Sequence, residues 1–144
     1  MARDQVYKFK DEQSFRNFIT NNEFVVVNFT STESRESIEI NSTFSNLSWE
    51  HPKVKFVQVV DEEAPMIFRA WEVSGIPSFM FFYNKDNKEC VDCYGSDNLA
   101  IKVRMFSKQA EEAQAKKDKE AKEAKQAREA SFAVQALQYN HGLW

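Results

Sequence analysis

The chain has 144 residues and a net charge of −3, a balance that favours neither a nucleic-acid backbone nor an anionic membrane surface as partner. Thirteen Phe, three Trp and four Tyr supply apolar area for a real core, and the length allows one domain plus an appendage. No apolar run approaches a membrane span, and the polar start Met-Ala-Arg-Asp-Gln predicts no cleavable signal.

Val6 to Phe9 alternates as a short strand. Asp11 is placed to cap a helix whose buried face is Phe15, Phe18 and Ile19, and Asn21-Asn22 breaks it. Phe24 to Phe29, FVVVNF, reads as a strand buried on both faces. The polar turn Thr30–Glu33 then leads to a helix from Ser34 to about Leu47, with Ile38, Ile40, Phe44 and Leu47 as its apolar positions. Val54 to Val60 is the next strand, and Ala64 to Trp71 a short helix that tolerates Pro65 in its first turn. Phe79 to Tyr83 is a strand, Asn84 to Lys88 a hairpin turn, and Glu89 to Tyr94 the last strand. Ser96 or Asp97 caps a final helix that buries Leu99, Val103 and Phe106. The order is βαβαβαββα.

Two stretches carry chemistry. In the first, a buried strand runs into a helix N-terminus at Ser34-Arg35-Glu36-Ser37, where unpaired N–H groups and the helix dipole converge. The second is Gly75-Ile76-Pro77-Ser78. Together they resemble the thioredoxin family over about residues 5 to 109. The resemblance implies an α/β thioredoxin fold, a central mixed sheet flanked by helices, with a cis peptide at Pro77. It also implies that Ser34 and Ser37 stand where the family carries its two reactive cysteines. A thiolate at the first helical turn is what that reaction needs, and a hydroxyl supplies neither thiolate nor disulfide. Asn28 occupies the place of the family's buried acid, while Glu33 and Thr30 replace aromatic residues before the first cysteine. The resemblance thus implies that these are vestigial positions of a redox-inactive member, with Ser34 expected to serve as helix N-cap. A groove at Ile76 and Pro77 remains suited to an extended peptide. The two histidines, His51 and His141, suggest no serine-nucleophile triad.

Cys90-Val91-Asp92-Cys93 is a CxxC motif in a predicted strand, where positions i and i+3 point to opposite faces. Two structural thiols are the expectation, unless a bulge at Val91-Asp92 brings them together. They make no disulfide framework, which points to a reducing compartment, and they are too few for zinc. No metal, cofactor or small-molecule substrate is implied.

From Ser107 to Ser131 there is no Leu, Ile, Val, Met, Phe, Gly or Pro. Ala, Lys, Glu, Gln and Arg dominate, with pairs such as Glu112–Lys116 and Lys119–Glu123 at helical spacing. Residues 110–144 therefore read as a helical extension of a domain spanning 1–109, projecting from it as a continuation of the last helix. Large apolar residues return at its end as Phe132, Leu137, Tyr139, Leu143 and Trp144, and these form an expected partner anchor.

The expected function is a non-catalytic accessory subunit of a large multiprotein assembly, in a cytoplasmic, axonemal or mitochondrial complex. Its partners are proteins, with no nucleic acid and no membrane span. Thioredoxin-like domains are recruited in this way to axonemal dyneins, respiratory complexes and ribosome-associated machinery. Two alternatives stand beside it: thiol–disulfide activity through Cys90 and Cys93, and a phosducin-like or chaperone-type binding module.

Overall fold

The computed structural model describes residues 5–89 and 95–141. In chain order the elements are β1 (Val6–Lys8), α1 (Glu12–Asn21), β2 (Phe24–Thr30), α2 (Arg35–Glu50), β3 (Lys55–Val60), α3 (Pro65–Ala70), β4 (Ser78–Tyr83), β5 (Asp86–Glu89) and α4 (Gly95–His141). The sheet order is β1-β3-β2-β4-β5, with β1, β3 and β2 parallel and β4 and β5 antiparallel to their neighbours. This is the thioredoxin fold, a mixed sheet with flanking helices, followed by a long C-terminal helix.

Every residue of β2 is buried, because it is central in the sheet and covered on both faces. Alternation sorts its side chains. Val25, Val27 and Phe29 join Phe15 and Ile19 of α1, Ile67 and Phe68 of α3, and Met80 and Phe82 of β4 in one core. On the opposite face Phe44 of α2 meets Phe56 and Phe79 at ring centroid distances of 5.2 and 5.8 Å. Phe106 of α4 meets Phe24 and Phe81 there at 5.3 and 5.1 Å. Burying each such ring contributes about 2–3 kcal/mol, with more from edge-to-face geometry.

The helix ends follow local chemistry. Asp11 caps α1 by accepting from the Ser14 N–H at 2.9 Å, and Pro65 opens α3 where its missing N–H has no partner to lose. Among the described residues, the buried positions of α4 are Leu99, Val103, Phe106, Ser107 and Ala110. The chain divides into two compact units, Met1–Ala110 and Glu111–Trp144. Within the second, residues 111–137 are exposed apart from a half-buried Ala113. Its helix carries a Gln114–Asp118 hydrogen bond of 2.9 Å and a Lys119–Glu123 ion pair of 4.0 Å. Among the described residues, no helix is long and apolar enough to cross a membrane.

Four expectations are corrected. Ile38 is 58% exposed; the buried stripe of α2 is Ser37, Ile40, Phe44, Leu47 and Ser48. A residue two before Ile40 lies about 200° away round the helix, so the two isoleucines cannot share a face. The hairpin turn is Asn84-Lys85 alone, with φ of 49° and 75°, and β5 starts at Asp86 rather than Glu89. Positive φ at both central residues matches the right-handed twist of the flanking strands, so a two-residue turn suffices. Helix α2 continues past Leu47 to Glu50, and α4 begins at Gly95, so Ser96 and Asp97 lie in its first turn rather than ahead of it. Cys90 and Cys93, with residues 90–94 of the strand expected to hold them, lie outside the described residues.

Candidate functional site

Register brings the site together. Phe29 pairs with Ser78 across β2 and β4, and Thr30 pairs with Val60 across β2 and β3. The loop Ser31–Ser34, the turn after Val60 and the segment ending at Pro77 therefore emerge at one end of the sheet. The Ile76–Pro77 peptide bond is cis, and both residues are half-buried.

Ser34 is the N-cap of α2. It has extended backbone angles, φ −90° and ψ 119°, and its Oγ accepts from the Ser37 N–H at 3.3 Å. The Ile38 N–H donates to the Ser34 carbonyl at 3.1 Å, the first helical bond. Ser37 is fully buried, and its hydroxyl has no partner among the described residues. Ser34 and Ser37 are thus coupled through a backbone donor and a side-chain acceptor, a capping role.

Asn28 is fully buried on the α2 side of the sheet. Its Nδ2 donates to Asn41 Oδ1 at 2.8 Å, and the Thr30 hydroxyl donates to the same oxygen at 3.2 Å. Gln58 lies opposite Asn28 in β3, so no ionisable group stands at either position of this pair. Asn41 was not singled out from the sequence. Its signal was there, four residues after Ser37 on the same turn-by-turn row of α2.

A second polar centre was also missed. Glu62, just past β3, accepts a short hydrogen bond from the Ser31 hydroxyl and a longer one, 3.4 Å, from the Thr32 N–H. Ser31 Oγ in turn accepts from the Glu33 N–H at 3.1 Å, and the Asp61 N–H donates to the Thr30 carbonyl at 2.9 Å. The loop between β2 and α2 is thereby tied to the loop after β3. The Ser31 hydrogen bond, and then Glu62's own backbone N–H, hold the exposed Glu62 carboxyl below its ordinary range. Among the described residues no group of three His, Cys, Asp or Glu side chains is placed to hold a metal.

Of the expected partner anchor, Phe132 and Leu137 are helical and exposed, at 74% and 60%. Val134, which was not singled out, is 51% exposed beside them. The Tyr139 side chain, Leu143 and Trp144 lie outside the described residues.

The sheet order and flanking helices define a thioredoxin-class domain, here with hydroxyls at the head of α2. The thioredoxin family model matches residues 6–105, and the chain belongs to that family. Glutaredoxin-3 of Mus musculus is 30% identical over 80 residues, covering 56% of this chain and 24% of that protein. Monothiol glutaredoxin-S17 of Arabidopsis thaliana is 33% identical over 92 residues, covering 62% of this chain and 18% of that protein. The chain thus matches a quarter or less of the length of these relatives. Among solved structures, the thioredoxin of Trypanosoma brucei brucei superposes with a TM-score of 0.64 at 21% identity, covering 74% of this chain and 95% of that one. The oxidised thioredoxin of Plasmodium falciparum does so with a TM-score of 0.65 at 18% identity, covering 71% and 98%. At these identities the likeness is one of fold.

Proposed function

We propose that the chain is a non-catalytic thioredoxin-family subunit of a multiprotein assembly, binding protein partners through its domain and through α4. The observation that carries this reading is Ser34, whose Oγ is engaged as the cap of α2 at the head of the site. Disulfide exchange needs a nucleophile that is substantially ionised near neutral pH, and an aliphatic hydroxyl is not. Asn28 supports it, since an amide held by Asn41 cannot take up and release a proton as a carboxyl does. What the site retains on this reading is the half-buried pair Ile76 and Pro77, suited to docking rather than to chemistry.

The competing reading, thiol exchange through Cys90 and Cys93, rests on the sequence motif alone. Two measurements separate them. The whole chain should reduce a disulfide substrate no faster than a Cys90→Ser, Cys93→Ser double variant, and thiol titration should recover both cysteines after mild oxidation. Affinity capture from native lysate and membrane extract should recover one stoichiometric set of proteins with the whole chain. A version ending at Gln109 should lose part or all of that set. Substrate turnover abolished by the double variant would overturn the non-catalytic reading, and the absence of any stoichiometric partner would overturn the subunit reading.

A further inference from the structure

We propose that the turns Ala130–Leu137 of α4 insert into an apolar, uncharged cleft between helices of a protein partner, a cleft that closes round most of the helix. This rests on the subunit reading above and adds to it the chemistry of the partner.

Three observations point there. The first is charge. Residues 111–129 carry six acids and six bases, whereas Ala130 to Trp144 carry no Asp, Glu, Lys or Arg at all. A stretch that excludes charge so sharply matches a low-dielectric surround and gives an electrostatic surface nothing to hold. The second is the width of the apolar face. At about 100° per residue, Phe132, Ala136, Ala133, Leu137, Ala130 and Val134 follow one another over roughly 200° of the helix, and Ser131 and Gln135 form the polar wedge between. A single groove, or a bilayer surface with a water-facing side, covers a narrower stripe than this. The third is exposure: Phe132, Val134 and Leu137 are 74%, 51% and 60% exposed, and the three alanines are exposed too.

A second copy of the chain does not fit. Carrying the Val134–Leu137 seam back by heptads passes Ala130 and Ala127 and then meets Glu123, Glu120 and Lys116. A self-paired coiled coil would have to bury those charges, or else hold on about two turns alone, too few for a stable pair. Small alanines between the large residues instead let partner helices approach closely on several sides.

The test places a photoreactive benzoylphenylalanine at Phe132, Val134, Gln135 or Leu137, one at a time, in the whole chain. The lysate comes from cells that express it. The expected result is adducts from positions 132, 134 and 137 with helical segments of one polypeptide, and an adduct about tenfold weaker from position 135. They persist in about 1 M sodium chloride, where exposed charge pairs are screened. Leu137→Asp lowers the yield from position 132 about tenfold or more. Adducts from one side only, with a second copy, within the chain itself or with phospholipid would each overturn the proposal, as would adducts lost in salt or no adduct at all. If the version ending at Gln109 keeps its stoichiometric partners while no adduct forms, the subunit reading stands and the cleft falls. If neither version holds a partner, both fall.

Discussion

Asn28 and Thr30, two residues apart on one face of β2, both donate to Asn41 Oδ1 in α2, at 2.8 and 3.2 Å. The shared acceptor fixes the head of α2 over the sheet, and it leaves Asn28 Oδ1 buried with no partner among the described residues. An acid placed at Asn28 would face the Asn41 oxygen. The carboxylate of Asn28→Asp would lose the donor and suffer desolvation, so its folded-state pKa would rise above its unfolded value. Below the unfolded pKa, near 3.9, the protonated acid donates to Asn41 and the variant approaches the parent in stability. The loss then grows with pH until the folded pKa is passed, reaching about 2–4 kcal/mol near neutrality. Urea unfolding at pH 4 and pH 7 measures it. A variant equally stable relative to the parent at both would contradict the arrangement.

Ser34→Ala removes the side-chain acceptor at the start of α2 and should cost about 1 kcal/mol, against a few tenths for Ser34→Gly. Denaturation midpoints at unchanged slope would show it. Equal losses in the two variants would mean that capping is not what Ser34 does.

Ile38 and Ile40 offer a paired test of the α2 face. Ile40 is 4% exposed and Ile38 58%. Ile40→Ala should destabilise by about 2–4 kcal/mol, while Ile38→Ala should stay within about 0.5 kcal/mol. Similar losses at both sites would refute the assigned stripe.

Lys85 holds φ at 75° in the two-residue turn, following Asn84 at 49°. Lys85→Gly gives the Asn-Gly pair that this turn prefers and should stabilise by about 0.5 kcal/mol, strain relief being partly offset by glycine's greater unfolded freedom. Thermal unfolding is the readout, and a lower Tm would count against the turn.

Glu62 should titrate below the ordinary glutamate value of 4.5, because the Ser31 hydroxyl and then its own backbone N–H favour the charged form. A depressed folded pKa contributes stability that is present above the unfolded pKa and lost as pH falls through the folded one. The Thr32 and Glu33 amide signals should shift with the same midpoint in an NMR titration, and Ser31→Ala should raise it. A midpoint unmoved by Ser31→Ala would remove the tie between the two loops.

How much was legible in the sequence follows from the range of each interaction. The element order, the caps at Asp11 and Ser34, the doubly buried β2 and the core face of α4 are written in periods of two and 3.6 and in neighbours three residues apart. Those signals are local, so the sequence alone settled them, while the fold came from the resemblance of two short stretches to the thioredoxin family. The reading of Ser34 and Ser37 as standing in for thiols came from that resemblance and not from any local period. Tertiary structure decided what depends on where distant elements cross. Asn41 became a polar hub because β2 passes under that turn of α2, and Glu62 became a tether because β2 and β3 end side by side, thirty-one residues separating it from Ser31. Ile38 turned to solvent because a helix meets the sheet along a stripe, and being apolar does not place a residue in it. Local chemistry names the segments and their ends, while the contacts that give this site its character form only when remote segments share one volume.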